Sequence, residues 1–189
     1  MTIPFAWQTK GRHNPYGSNP GDYAFLYGLV AAVRPSVIVE TGTHCGFSSM
    51  AMAQALVDYG IGGLVWTCDD GTRGDQSKNA VANMRRHGLK NLIRAYRDPS
   101  RLFLERRVPA GLIDLAFLDA SHAYDDIREE FEIVSSRSSL VVLHDACQCA
   151  GVKRVVDEVR RSGRLVSIVP SVGANGRRTG FAVVSDLYR

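Results

Sequence analysis

Apolar residues in this chain fall into short runs separated by amphipathic stretches, and the two patterns alternate from about residue 23 to residue 184. The runs Val37–Thr41, Leu64–Cys68, Leu92–Tyr96, Ile113–Leu118 and Leu140–Leu143 are rich in Val, Ile and Leu, as expected of strands buried on both faces. Tyr23–Val33, Ser48–Tyr59, Ser77–His87, the short Arg101–Arg107, Tyr124–Ser135 and Val152–Ser162 read as helices. Their stop signals are Arg34-Pro35, Gly60 with Gly62-Gly63, and Gly88. Leu165–Val169 and Phe181–Val184 flank a Gly-Ala-Asn-Gly turn and predict an antiparallel hairpin. Strand–helix alternation predicts a single α/β domain, a Rossmann-like doubly wound sheet that is parallel except for this hairpin. Residues 1–22, rich in Gly, Pro and Asn, read as an arm or lid ahead of a domain spanning 23–189.

Composition narrows the class. A chain of 189 residues that is 45% hydrophobic fits one ordinary globular core. No apolar run reaches membrane-spanning length and the first ten residues lack a signal-peptide core, so the expected location is the cytoplasm. Cys45, Cys68, Cys147 and Cys149 form no disulfide framework, in keeping with a reducing compartment. The net charge of +4 comes largely from scattered arginine pairs without interleaved aromatics, a pattern of solvated faces rather than a nucleic-acid groove. The partner expected is a small molecule. Nothing sets the oligomeric state, a homodimer included.

The segment Val37-Ile-Val-Glu-Thr-Gly-Thr-His-Cys-Gly-Phe-Ser-Ser49 carries the most information. A strand ending in Glu40 feeds a turn with Gly42 and Gly46, and Ser48 or Ser49 opens a helix, the construction of a nucleotide pocket in an open sheet. The two glycines let backbone approach a ligand without Cβ collisions. A dinucleotide site reads G-x-G-x-x-G and keeps its helix N-terminus free for pyrophosphate. This loop reads E-x-G-x-x-x-G, with an acid that repels phosphate and suits a cation.

The segment resembles the first motif of class I S-adenosylmethionine-dependent methyltransferases, whose ligand carries a sulfonium and an ammonium. The variant E-T-G-T-x-x-G-x-S is most similar to the small O-methyltransferase-like group related to macrolide-sugar, antibiotic and catechol methyltransferases. The resemblance covers about residues 36–185 and implies the strand order 3-2-1-4-5-7-6. It also implies S-adenosylmethionine as cofactor, held by Glu40, Gly42, Thr43, Gly46 and Ser48, with Asp69, Asp98, Ser100 and Asp119 from the later strand ends.

Ligands in such sheets gather at the carboxyl ends of the strands, and an acid stands at almost every one. Asp69 lies 23 positions beyond Gly46, near the separation that puts a carboxylate on ribose hydroxyls; Asp69-Asp70-Gly71 is equally a good Asx turn. Asp98 and Ser100 match the family's adenine side, or else cap the helix before Leu102. Trp66 and His44 read as packing and loop residues.

Leu118-Asp-Ala-Ser-His-Ala-Tyr124 and Leu143-His-Asp145 carry the chemistry. Methyl transfer from a sulfonium needs an aligned acceptor and a route for its proton, by a base or by a metal that lowers the acceptor's pKa. Asp119 and Asp145 end neighbouring strands and can converge on one hard cation; the alternative is that they cap the following helices. The resemblance implies an acid after strand four and an acidic pair after strand five. Here that pair is His144-Asp145, an imidazole replacing one carboxylate, which admits manganese beside magnesium. The metal ligands expected are Asp119, His144 and Asp145.

His122, in a D-x-x-H-x-Y arrangement, is the candidate base, with His144 competing and a surface or capping histidine as the plainer reading. Cys147 and Cys149 lack the second ligand pair that structural zinc needs. Asn14-Pro15-Tyr16 matches an amino-methyltransferase motif, but far from its place after strand four.

Three other classes fit the sequence less well. A nicotinamide-dependent oxidoreductase lacks its glycine fingerprint and meets Glu40 at the phosphate position. An idle cofactor-binding subunit has no need of Asp119, His122 and Asp145. An RNA methyltransferase would want a denser basic surface. The acceptor is set by residues 1–22 and Ser171–Thr179, where Arg177 and Arg178 can pair with a carboxylate or phosphate.

Overall fold

Ile113–Leu118 forms β4 at the middle of the sheet, with five of its six residues fully shielded. The computed structural model describes residues 20–72, 76–172 and 178–185. Around β4 stand β1 (Val37–Thr41), β2 (Leu64–Cys68), β3 (Ile93–Tyr96) and β5 (Ser138–Leu143), all parallel, followed by the antiparallel β6 (Leu165–Val169) and β7 (Phe181–Ser185). The order is β3-β2-β1-β4-β5-β7-β6, as the resemblance implies. The chain reverses direction across the sheet between β1 and β4, and that crevice is where open α/β sheets take ligands.

Among the described residues, three helices cover each face. On one side α1 (Pro20–Val33), α2 (Phe47–Asp58) and α3 (Gln76–Arg86) pack Leu26, Val30, Met50, Leu56 and Met84 over Ile38, Leu115 and Phe117. On the other, α4 (Ser100–Arg106), α5 (Tyr124–Ser135) and α6 (Ala150–Arg161) pack Phe103, Phe131 and Val134 over Val39, Ala116 and Leu118. In α6 the buried residues Val152, Val155, Val156 and Val159 repeat at helical spacing, each worth about 1.5–3 kcal/mol when removed from water.

Boundaries shift for local reasons. α1 begins at Pro20, three residues before Tyr23, because proline suits the first helical position and Asp22 favours the first turn. Residues 20–22 therefore belong to a helix; the rest of the expected arm, and the Gly-Ala-Asn-Gly turn with Arg177, lie outside the described residues. α1 closes with Arg34 at φ +55, and α2 with Gly60 at φ +58. A 3₁₀ turn at Lys90–Leu92 delays β3 to Ile93. β5 starts at Ser138, two residues before Leu140, since Ser138 pairs with Ile113 although its side chain is polar. No helix among the described residues is long and apolar enough to cross a membrane.

Gly42 follows β1 at φ +91, and a Cβ there would overlap the Asp119 carbonyl after β4. Gly42→Ala should therefore cost about 2–4 kcal/mol of stability, combining a left-handed backbone with a backbone clash. Urea unfolding checks this; an unchanged midpoint would show that the two strand ends separate freely.

Candidate active site

The loop after β1 is held by its own neighbours. Gly42 N and Thr43 N both donate to Cys68 O, at 2.9 and 2.8 Å, and Thr43 Oγ1 lies 2.6 Å from Thr67 Oγ1. Gly46, at φ +81, opens α2; a Cβ on it would lie 2.9 Å from Met84 Cε and 3.2 Å from Ala80 Cβ. Each glycine makes room for another part of the protein, Gly42 for the Asp119 carbonyl and Gly46 for Met84 and Ala80.

Glu40 is fully buried. Ser48 Oγ donates to Oε1, while Ser49 Oγ and Thr67 Oγ1 donate to Oε2, the last at 2.6 Å. Its charge thus sits beneath the loop and acts on the cleft through its field. Burial pushes its carboxyl up to about 7, opposed by the three hydroxyls that favour the ionised form.

Asp69 forms the Asx turn: Oδ1 accepts Gly71 N at 2.8 Å and Oδ2 accepts His44 N at 2.9 Å. The second bond ties the end of β2 to the loop and holds His44 at φ +47. Trp66 packs as expected, stacked on Tyr96 at 6.0 Å. Asp98 Oδ2 accepts Arg107 Nε at 2.9 Å, and Ser100 bonds to Glu130; α4 has no side-chain cap, so neither Asp98 nor Ser100 plays that part. Glu130 also accepts from Thr41 Oγ1 at 2.7 Å, joining α5 to the end of β1.

Asp119, His122, His144 and Asp145 come together, with one ligand-type atom from each lying within 4.8 Å of the others. The sheet arranges this, because Leu118 and Leu143 are register partners and the next residues emerge side by side. His144 Nδ1 stands 2.9 Å from Asp119 Oδ1 and 3.7 Å from Asp145 Oδ1, and its Nε2 3.4 Å from Asp22 Oδ2. His122 Nε2 lies 3.0 Å from Asp145 Oδ2 and 3.5 Å from Asp119 Oδ1, close enough to pair when charged but not aligned as a hydrogen bond. Asp145 adopts φ +57, a strained conformation steadied by Gln148 Nε2, which donates to Oδ1 at 2.7 Å. Gly151 packs against the His122 carbonyl so closely that a Cβ would overlap it, so α6 fixes the His122 turn.

The charges reinforce one another. Burial would raise the Asp119 carboxyl, but His144 and His122 hold it well below the usual range. Asp119 and then Asp145 raise His122 to about 9 against its burial. Burial would lower His144, yet Asp119 and Asp22 hold it well above its ordinary value. Without an ion, carboxylates and imidazolium rings neutralise each other.

Sequence reasoning missed Asp22, placed in the arm, and Gln148, Gly151, Ser49 and Thr67, whose partners are set by packing. Only Asp22 had a local signal: Pro20-Gly-Asp22 is a helix start.

A family model described as a methyltransferase domain matches residues 39–146. The chain is 31% identical over 145 residues to the uncharacterised protein y4gI of Sinorhizobium fredii, covering 71% of this chain and 15% of that one. It is 33% identical over 113 residues to the O-methyltransferase ankF of Aspergillus thermomutatus, covering 59% and 44%. The chain thus spans less than half the length of these curated relatives. An O-methyltransferase from Bacillus cereus, solved in complex with SAH, has the same fold: TM-score 0.76 at 18% identity, over 90% of this chain and 83% of that one.

Glu40 generates a pH prediction. Its folded pKa of about 7 exceeds the ordinary 4.5, so the stability it confers is full below pH 4.5 and is lost as pH rises through 7. The loss should reach roughly 3 kcal/mol. Ligand-free protein should lose that much more stability than Glu40→Gln between pH 4.5 and 7.5 in parallel denaturant titrations; identical slopes would show Glu40 ionised throughout.

Proposed function

This chain belongs to the methyltransferase-domain family, and on that premise we propose that it transfers the methyl group of S-adenosylmethionine to a hydroxyl of a small metabolite or natural product. The observation that carries this reading is the convergence of Asp119, His122, His144 and Asp145, with the Asp119 backbone packed against Gly42 of the loop after β1. Oxygen as acceptor is supported by the O-methyltransferases the chain resembles. The described cysteines are free, which supports a reducing, cytoplasmic setting.

In this reading Gly42, Thr43, Gly46 and Ser48 border the amino-acid end of the cofactor, Asp69 its ribose, and Asp98 with Ser100 its adenine. Asp119 borders cofactor and chemistry alike. S-adenosylmethionine supplies an activated methyl group on a positive sulfur. Glu40, buried under the loop, favours that charge through its field without touching it.

The cluster fits a divalent cation. It has two carboxylates and two imidazoles within reach of one point, and the buried His122 Nε2 lacks an aligned partner. Asp119, His144 and Asp145 would hold the ion, magnesium or manganese, which supplies a Lewis acid that lowers the acceptor's pKa. Paired with Asp119 and Asp145 the His122 ring is an imidazolium; an ion held by those carboxylates would remove that pairing, and the neutral Nε2 would then take the acceptor's proton as the oxygen bonds to the methyl carbon and the carbon–sulfur bond breaks. His144 is less suited to this role, because it is 5% exposed and both its nitrogens face carboxylates.

S-adenosylhomocysteine should bind, and Asp69→Ala should weaken it by roughly 2–3 kcal/mol. Calorimetry giving wild-type affinity in that variant would remove Asp69 from the site. His122→Ala should lower turnover about 100-fold while leaving cofactor and manganese affinity nearly unchanged. Loss of manganese binding in that variant would make His122 a ligand, and an unchanged rate would end the base assignment.

A further inference from the structure

Helix α1 places a carboxylate where its own pattern calls for a hydrophobic residue. Asp22, Leu26 and Val30 lie one turn apart on one stripe, and all three are fully buried. A buried carboxylate is costly without a partner that repays its desolvation, and an apolar residue in such a stripe is commonly as stable or more so. One partner that Asp22 reaches is 122 residues away: its Oδ2 stands 3.4 Å from His144 Nε2.

The His144 ring is held in a fixed plane. Phe117 meets it edge-on at 6.1 Å, and Phe181 lies tilted at 5.2 Å. In that plane Nδ1 faces Asp119 and Asp145, while Nε2 faces Asp22. The two nitrogens therefore have different duties. An imidazole that ligates through one nitrogen keeps a proton on the other, and an acceptor for that proton fixes the tautomer, orients the ring and raises ligand basicity.

We propose that Asp22 is the positioning residue for His144, holding the proton on Nε2 so that Nδ1 is presented to a divalent cation shared with Asp119 and Asp145. This rests on the metal reading above. It makes the first turn of α1 part of the ion site, although Asp22 does not itself ligate. The acid contributes selectivity for an imidazole–carboxylate set at the expense of core packing.

The test is manganese binding to the purified full chain, read by electron paramagnetic resonance of the free ion, with S-adenosylhomocysteine affinity measured in parallel. Asp22→Asn keeps the shape and removes the charge, and Asp22→Ala removes the acceptor. Both should bind manganese about 10–100-fold more weakly, the alanine variant by more. S-adenosylhomocysteine affinity should stay within about twofold of wild type, a split that a merely structural residue would not produce. If Asp22→Ala fails to fold, the asparagine variant decides. Wild-type manganese affinity in folded Asp22→Asn would overturn the role of Asp22 and leave the metal reading standing. Parallel loss of both ligands would make Asp22 a scaffold residue and overturn it too. Absence of manganese binding in the wild type, with S-adenosylhomocysteine still bound, would overturn the metal reading and this inference together.

Discussion

The cluster of Asp119, His122, His144 and Asp145 depends on the pairing of β4 with β5. Leu118 and Leu143 are opposite one another, and His144 N donates to Leu118 O at 3.1 Å, so Asp119 and His144 leave the sheet at the same level. A slip of one residue would send every side chain of a strand to the other face. The run of buried apolar residues in β4 rules out that slip, because α-helices cover both faces and each residue has a fixed place. The close pass of Gly42 against Asp119 O locks β1 to the same level. Core packing thus positions the loop after β1 and the Asp119–Asp145 cluster as one unit.

The buried charges form two groups with opposite logic. Glu40 is surrounded by neutral hydroxyl donors, and burial governs its carboxyl. Asp119 faces two imidazoles, and their charge overrides burial. A cationic cofactor beside the first group, and a divalent ion replacing the imidazolium charge in the second, would each meet groups already held in position, which need little reorganisation when ligands arrive. The strained backbone of Asp145, braced by Gln148, belongs to the same arrangement: strain of this kind persists where surrounding contacts over-determine it.

Much of this was legible in the sequence. Val37–Thr41, Leu64–Cys68, Ile113–Leu118 and Leu165–Val169 are strands with the limits their apolar runs predict. Parallel strands covered on both sides announce themselves through hydrophobicity alone. The acids at the strand ends, and the meeting of Asp119 with Asp145, followed from topology. Contacts made by packing were not legible. No local pattern shows that Asp22 meets His144, that Thr67 reaches Glu40, or that Gly46 admits Met84. Those depend on how helices seat on the sheet. The polar start of β5 at Ser138 escaped for the same reason: pairing with Ile113, not its own side chain, makes it strand.

If one cleft binds S-adenosylhomocysteine and a divalent ion side by side, a crystal grown with S-adenosylhomocysteine and manganese, with diffraction collected at a wavelength that reveals manganese, should show both. The expected result is an anomalous peak bonded to Asp119, Asp145 and His144 Nδ1, with the cofactor product lying over Gly42 and its ribose against Asp69. A cofactor product bound in that cleft with no ion at the cluster would contradict the metal-assisted mechanism, and one bound elsewhere on the protein would contradict the account as a whole.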